Sequence, residues 1–433
     1  YVWISNQAGN NGVLFGDLNV RAVKDKNDNI ISDGRPSLGF TGNMDTYKPA
    51  EGSATRSDIA ITDPDFKYPS LWKSNIAADY KFGDGWVATV ELLYSKDINA
   101  IYHDNIGLYR TEQFVNDGGA GNARPYYNGY YSDREGNQKA ANHVVMLRNT
   151  SKGHSLYTTF QLQKNFVDGI LKGLYLNGSY SFGQSRGVTD GTSSVATSAW
   201  KYRAALDGNA EEVGYTAGSF DGRLLLSASY TANWSKYAAT SFGLIYQRYR
   251  PFRYSYCYNG DANGDSQFSN DLMYIPANFD EVKDHLLPGD FDSQEDAWKA
   301  MNAFIEQDPY LSKHRGEYAE RNGAVAPFAN QLDLSVSHDI KIYQKNGRSH
   351  TLRFSFNIAN FLNLLNRNWG VVQTTVLGNQ QYQFLTIPKG QGPSAANNYT
   401  LKYTMAKDLD ETFKDNLNDV SRWQMQFGIK YIF

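Results

Sequence analysis

The stretch that decides the fold is residues 423–433, WQMQFGIKYIF. Its odd-numbered residues are all apolar or aromatic, and its even-numbered residues up to Lys430 are polar or glycine. A period of two predicts a β-strand with one apolar face and one polar face. In a soluble β-sandwich the apolar face would pack into the core. In a membrane β-barrel it would meet lipid, and the polar face would line the lumen.

The same alternation recurs upstream and predicts a chain built mainly from long strands. In the segment around Phe354, for example, Leu352, Phe354 and Phe356 alternate with polar residues. The nine predicted strands are 71–82, 85–99, 153–166, 172–187, 222–233, 236–252, 328–341, 349–362 and 421–433. Single-chain bacterial barrels have even strand numbers, so the odd count predicts at least one further strand. That strand would lie upstream of this chain, or within 1–23 or 98–112.

The connections between these strands alternate strictly between short and long. Links such as Gly83-Asp84-Gly85 have hairpin length. The long loops are predicted at 100–142, 188–221, 253–327 and 363–420, and residues 1–70 are predicted to be a further extracellular loop region. Tight periplasmic turns and long extracellular loops are typical of outer-membrane barrels, whereas a sandwich has no reason to place every long loop at one end. The pattern therefore favours an all-β, antiparallel transmembrane barrel spanning 71–433, with its C-terminus on the periplasmic side.

Composition excludes several other classes of protein. The chain has 433 residues, a net charge of −3 and a mean hydropathy of −0.55. No apolar run approaches the roughly 18 residues of a membrane-spanning helix. No basic surplus indicates a nucleic-acid partner. The single cysteine, Cys257, can form neither an internal disulfide nor a cysteine-based zinc site.

Nothing in the sequence argues for an enzyme, and we predict that the chain is not one. The seven histidines are scattered, and no two have metal-ligand spacing. The sequence contains no H-E-x-x-H motif, phosphate-binding loop or dinucleotide fingerprint. Its chemistry is therefore expected to be that of a binding or transporting surface.

The polar face of the predicted strands supplies the first set of candidate functional residues. If the barrel prediction holds, these side chains face the lumen, where they contact solute or simply form a hydrated wall. The lumen-facing candidates are Glu91, Arg223, Asp333, Arg353 and Gln426.

Aromatic residues in the long loops supply a second set. Tyr126, Tyr127, Tyr130 and Tyr131 could form an exposed platform that stacks on sugar rings or peptide side chains. Tyrosine close to a strand end is equally typical of the membrane interface. Trp298 lies on a predicted helix that begins after Ser293, where packing within the loop is the favoured interpretation over ligand contact.

One loop has the oxygen-ligand spacing of a calcium site. Asp261, Asn263 and Asp265 alternate as in an EF-hand loop, and Asp271 follows. The stretch departs from that pattern because Ser266 replaces the turn glycine and Leu272 replaces the closing carboxylate. The alternatives are a structural Ca²⁺ ion in an extracellular loop and a turn stabilised by its own Asp and Asn side chains. No other cofactor is implied.

Several stretches resemble the TonB-dependent outer-membrane receptors of Bacteroidota, in particular their Oar-like branch, which is related to SusC-type transporters. The resemblance runs along nearly the whole chain. The matching stretches are Ser5-Asn6-Gln7, Asn149 to Gly153, Gly191 to Ser194 with Ala199-Trp200, Asn259 to Asp265, Asn270 to Pro276, Arg315-Gly316, Glu320-Arg321-Asn322 and Asn360 to Asn363.

The resemblance implies a 22-stranded barrel closed by an N-terminal plug, of which this chain would form the C-terminal part. It also implies an outer-membrane location in a Gram-negative bacterium and import of a large or scarce ligand, either a glycan or a peptide. The implied partners are outer-membrane lipid, the upstream plug and barrel strands, and the TonB energy complex. A surface lipoprotein lid is a further candidate.

Two alternatives belong to other classes. A self-contained outer-membrane porin or adhesin would close its barrel from these residues alone. A secreted β-rich carbohydrate-binding protein would be soluble without detergent.

Overall fold

The computed structural model describes most of the chain downstream of residue 57. The described residues are 58–115, 117, 124–130, 143–191, 193–343, 349–377, 381–393, 399–405 and 411–433, with the backbone of a strand pair at Val23–Lys24 and Ile30–Ser32.

Nine long antiparallel strands form the main sheet, and their order in the sheet is their order in the chain. They are β1 (Leu71–Phe82), β2 (Trp86–Asp97), β3 (His154–Asn165), β4 (Leu174–Gly187), β5 (Arg223–Ser235), β6 (Ala238–Tyr249), β7 (Ala329–Tyr343), β8 (Ser349–Ala359) and β9 (Gln424–Ile432). Each one overlaps a predicted strand. The prediction of an antiparallel all-β fold is thus confirmed for this sheet, whereas its closure into a barrel stays a prediction.

The register pairs like faces across the whole sheet. On β8 and β9, Phe356 lies opposite Phe427, and Asn357 lies opposite Gln426. The same holds at the other edge, where Phe160 on β3 lies opposite Val90 on β2. Because side chains alternate along each strand, one surface of the sheet is mainly apolar and the other is mainly polar.

The apolar surface is exposed. Side chains on it reach 67% exposure at Ile76, 65% at Phe427 and 63% at Ile429. The described residues supply no second sheet against this surface, so these side chains do not meet across a dry core. That arrangement differs from a β-sandwich, whose apolar faces pack on one another.

The sheet formed by the described residues is open. Its edge strands are β1 and β9, and they do not pair with each other. Short turns at 83–85, 166–173 and 236–237 join strands at one end of the sheet, and the fourth short link, 344–348, lies outside the described residues. The four long connections all leave from the opposite end, as the sequence predicts.

The long connections fold together rather than forming separate loops. We call the described residues of 98–153, 188–222, 250–328 and 360–423 the cap. Its core contains large aromatic and apolar side chains, among them Tyr254, Tyr256, Phe304, Tyr382 and Phe384, each at most 1% exposed. Residues 253–258 and 382–387 come from different connections and meet there, so the cap has a hydrophobic core of its own.

The cap contains short strands and few helices. Its helices are α1 (Ala196–Lys201), α2 (Gln294–Gln307) and α3 (Phe361–Leu365), with 3₁₀ turns at Phe279–Glu281, Leu311–Lys313 and Asp419–Ser421. Its strands are Ala100–Asn105, Leu108–Val115, Arg124–Tyr130, Val144–Thr150, Gly214–Tyr215, Arg253–Tyr256, Tyr274–Ile275, Leu286–Leu287, Glu317–Tyr318, Ala324–Val325, Gln373–Thr375, Gln381–Tyr382, Leu385–Thr386, Leu401–Tyr403 and Phe413–Asp415.

Two further observations bear on the sequence predictions. The predicted loop region 1–70 lies mostly outside the described residues, but Ile59–Thr62 forms a strand that pairs with the strand Val144–Thr150. The helix predicted after Ser293 is confirmed, because the Ser293 side chain accepts a hydrogen bond from the Asp296 amide. In the described part of the chain, no helix is long and apolar enough to cross a membrane.

Candidate functional site

The five lumen candidates lie on one face of the sheet. Glu91 on β2 lies opposite Thr159 on β3. The pairing of the following strands places Arg223 on β5 and Asp333 on β7 on the same face. From there it continues through Arg353, and it reaches Gln426 on β9. The five residues therefore share one face of the sheet, whereas its being a lumen stays a prediction.

Hydrogen bonds join many polar side chains across this face. Asn75 donates to Glu91 over 2.8 Å, and Arg223 donates to Gln247 over 3.0 Å. Arg353 donates twice to the Asp339 carboxylate, at 2.6 and 2.7 Å. Further pairs are Thr159 with Ser181, Gln161 with Asn177, Thr231 with Ser241 and Gln247 with Gln331. Such paired hydroxyl, amide and charged groups form a hydrophilic wall.

The predicted aromatic platform is wrong for the three of its tyrosines that the structure describes. Tyr126 and Tyr130 are 8% exposed, and Tyr127 is 1% exposed. The Tyr127 hydroxyl donates to Asp207 over 2.6 Å, and Tyr130 packs edge-on against His143. These rings belong to the cap's interior because the strand Arg124–Tyr130 is covered by other connections. Tyr131 lies outside the described residues.

Trp298 packs within the cap. It lies on α2, is partly buried against the cap core, and its ring centroid is 5.9 Å from that of Phe279. This agrees with the structural role favoured by the sequence.

The predicted calcium residues do come together. Carboxylate oxygens of Asp261, Asp265 and Asp271 lie within 4.8 Å of one another, and Asp265 and Asp271 are 0% and 1% exposed. Asn263 contributes through its side chain, which bonds the Asp265 amide at 2.9 Å and the Asp265 carboxylate at 3.4 Å. The arrangement gathers hard oxygen atoms of the kind that bind Ca²⁺.

Backbone amides donate hydrogen bonds to some of the same carboxylate oxygens. Asp261 accepts from the amides of Gly264 and Ser266 at 2.6 and 2.8 Å, and Asp271 accepts from the Ala262 amide at 2.8 Å. Gly264 permits this turn, since its φ is +83° and a Cβ atom there would lie 2.1 Å from the Tyr127 carbonyl oxygen. The cluster thus serves as a self-stabilised turn as well as a candidate cation site.

Burial and mutual repulsion strain the ionised form of these carboxylates. Burial raises the pKa of Asp271 to about 7, against the lowering effect of Arg124. Burial, together with the charges of Asp271 and Asp261, holds the pKa of Asp265 well above its usual range. A cation or protons would relieve this repulsion.

Arg124 is the buried cation of this region. Its side chain is 0% exposed and forms ion pairs with Asp117 at 3.0 Å and with Asp271 at 3.2 Å. It also donates to the Leu272 carbonyl oxygen. One guanidinium therefore faces two carboxylates and leaves Asp265 without an ion pair among the described residues.

A polar cavity in the cap was not anticipated from the sequence. It has a volume of about 500 Å³. Three arginines line it, Arg203, Arg253 and Arg321, and they are 6%, 7% and 3% exposed. The three are 50 or more residues apart in the sequence, so only the folding of different connections against one another brings them together.

Compared with family models, with curated proteins and with solved structures, the chain has no significant match. The resemblance to TonB-dependent receptors consequently remains an expectation from sequence, and the geometry above is the basis for the proposals that follow.

Proposed function

We propose that the nine-stranded sheet is part of the wall of an outer-membrane β-barrel, the C-terminal portion of a TonB-dependent transporter. The observation that carries the proposal is the exposed apolar surface, which continues across all nine strands with a mainly polar surface behind it. Soluble monomers rarely expose contiguous apolar patches larger than a few hundred Å². A lipid environment accounts for an apolar surface of this kind.

Strand length is compatible with this role. The nine strands contain between 9 and 15 residues, as for β9 and β7 respectively. A tilted strand needs about 9–11 residues to cross the hydrocarbon region. The longer strands would extend beyond it towards the cap.

The open edges of the sheet support a need for further strands. Within a bilayer, each unsatisfied backbone group costs several kcal/mol, so membrane sheets close into barrels. The outer edges of β1 and β9 would pair with upstream barrel strands, in agreement with a 22-stranded total. A porin or adhesin complete in these residues would instead have to pair these two edges with each other.

The ends of the sheet suggest an orientation. Short turns at one end and long connections at the other match the periplasmic and extracellular ends of such barrels. The cap would then be extracellular, where it meets an incoming glycan or peptide, and a surface lipoprotein could cover it.

Transport would also require a plug and the TonB energy complex. A plug within the barrel would contact the polar face around Glu91 and Arg353, and the TonB complex would move it. In this role the chain acts as a wall and a binding surface rather than an enzyme. A structural Ca²⁺ ion at Asp261, Asn263, Asp265 and Asp271 would stabilise the cap.

Neighbouring residues on β9 test the facing. Phe427 is 65% exposed on the apolar surface, and Gln426 lies on the polar surface. We expect Phe427→Asp to destabilise the membrane-inserted protein by roughly 1–3 kcal/mol, because a charge would face hydrocarbon. The measurement is the free energy of unfolding from lipid vesicles.

Gln426→Asp is the matched control and should change that free energy by less than about 0.5 kcal/mol. Equal effects of the two substitutions would contradict the proposed facing.

A further inference from the structure

Two of the three arginines that line the cap cavity lack a direct ion pair with a carboxylate in the described part of the chain. The charged lining residues of the cavity are Arg203, Arg253, Arg321 and Asp190. Arg253 is paired with Asp221 through its guanidinium group. Arg203 and Arg321 have no such partner: among the described residues, no carboxylate oxygen lies within 4.0 Å of their guanidinium nitrogens.

Neutral carbonyl groups hold these two arginines in place. The Val188 carbonyl oxygen accepts from both of them, from Arg203 over 3.2 Å and from Arg321 over 2.5 Å. Arg203 also donates to Ala210, and Arg321 also donates to Gly187. Because both guanidinium groups contact one oxygen atom, two like charges lie side by side in the cap.

The one carboxylate among the lining residues is held by neutral amide donors. Asp190 accepts from the Ala217 amide and from the Asn322 side-chain amide, each over 2.9 Å. The Nε atoms of Arg203 and Arg321 are buried and have no hydrogen-bond partner. Burial, and next the charge of Arg321, lower the pKa of Arg203 to about 10, although the charges of Glu212 and Asp207 act in the opposite direction. The charge of Glu212 acts on both arginines without forming a direct ion pair, so an anion in the cavity would supply the contact that both lack.

The rest of the lining is polar and small. It offers hydroxyl and amide groups and alanines, with Tyr202, 66% exposed, as its largest ring. These residues are Thr189, Ser255, Ser269, Asn322, Gln381 and Gln383. Amides and hydroxyls suit sugar hydroxyl groups, and an exposed aromatic ring suits the C–H face of a sugar. An apolar peptide side chain would find only alanines and the exposed ring of Tyr202 to pack against.

We propose that this cavity binds an acidic saccharide whose carboxylate lies against Arg203 and Arg321. Arginine's planar fork matches a carboxylate, and the anion would supply a direct ion pair to two guanidinium groups that lack one. The cavity volume of about 500 Å³ is within the range of pockets for drug-sized ligands. The inference rests on the proposed function, since it makes the cavity the place where the transporter's ligand binds.

The test is calorimetric titration of the full chain in detergent micelles. The probes are trigalacturonate and its neutral methyl ester, which lacks the negative charges and carries one additional methyl group on each carboxyl group. We expect trigalacturonate to bind at least tenfold more tightly than the ester. Equal affinity for the two, or binding of neither, would overturn the proposal.

Substitutions locate the binding site. Arg321→Gln and Arg203→Gln should each weaken trigalacturonate binding at least tenfold, and Arg321→Lys, which keeps the charge but not the fork, should lie between Arg321→Gln and wild type. Arg367→Gln removes an equal charge from an exposed cap residue outside the cavity and should bind within twofold of wild type. Wild-type affinity in both glutamine variants would overturn the assignment.

Two further comparisons separate the outcomes. Tri-glutamate carries the same kind of charge on a peptide, and tri-glutamate binding as tight as trigalacturonate binding would overturn the saccharide assignment. The probe comparison on the wild-type protein needs no variant, so a misfolded variant leaves the test intact. The Phe427 experiment reports on membrane insertion alone, and a failure here would leave that result unchanged.

Discussion

Among single residues, the clustered carboxyl groups of Asp261, Asp265 and Asp271 make the stability of the cap depend on pH. Asp271 has a folded pKa of about 7, against an ordinary value of 3.8. Between these two values the folded state holds a proton that the unfolded state has lost. The contribution of the Asp271 carboxyl group to the free energy of unfolding is therefore complete below about pH 4 and is lost as the pH rises towards 7. A cation bound to Asp265 and its neighbours would compensate for this decline.

We expect the chelator-treated protein to melt at a lower temperature at pH 8 than at pH 5. Added Ca²⁺ should restore the melting temperature at pH 8 and have little effect at pH 5, where protons already neutralise the cluster. The measurement is thermal unfolding followed by tryptophan fluorescence.

The control variant is Asp265→Asn, which removes one buried charge at nearly constant volume. It should melt with a weaker dependence on pH and no response to Ca²⁺. A calcium response as large in this variant as in wild type would refute a cation site here.

At the scale of elements, α2 shows how a helix is positioned within a long connection. Its N-terminus is capped by Ser293, whose Oγ accepts from the Asp296 amide over 3.1 Å. Its buried residues Ala297, Met301, Phe304 and Ile305 share one face and pack into the cap core. Residues at these spacings lie on one side of a helix, so the apolar face of α2 and its N-terminal capping residue Ser293 were both predictable from the sequence.

We expect Ser293→Ala to destabilise the cap by about 1 kcal/mol, because an N-terminal amide loses its acceptor. Hydrogen exchange of the amides in residues 294–298, followed by mass spectrometry, should become faster. Ser293→Thr keeps the hydroxyl and should exchange at nearly the wild-type rate. Unchanged exchange in the alanine variant would show that the hydrogen bond from the Asp296 amide to Ser293 has no stabilising role.

At the scale of the whole molecule, the sheet and the cap have opposite organisations. The sheet exposes its apolar surface, as at Phe427 and Ile429, whereas the cap encloses Tyr256 and Phe384 at 0% exposure. Aqueous solvent stabilises the second arrangement and lipid stabilises the first. This contrast within one chain is the strongest argument against a wholly soluble protein.

We expect the full chain to fractionate with membranes and to resist extraction by alkaline carbonate. Detergent should release it, because micelles cover the apolar surface of the sheet. Sedimentation followed by immunoblotting measures the distribution, with a known soluble periplasmic protein as the control. Recovery of folded chain in the detergent-free supernatant would favour the secreted carbohydrate-binding alternative instead.

The sequence by itself determined the strands, their facing and the alternation of short and long connections. These features follow from local rules: period-two patterns fix which side chains share a face, and turn residues such as Gly83 and Gly85 mark the hairpins. It also determined α2 and the grouping of Asp261, Asn263 and Asp265, since each depends on residues only a few positions apart.

Only tertiary packing shows that the long connections share a core containing Tyr126, and that Tyr127 and Tyr130 lie in a second buried cluster. The same holds for the cavity, where Arg203, Arg253 and Arg321 meet from distant segments. Tyrosine and arginine occur both at surfaces and in interiors, so the residue type alone does not show whether a given side chain is buried. Packing between segments far apart in the chain settles that question, and no local period encodes it.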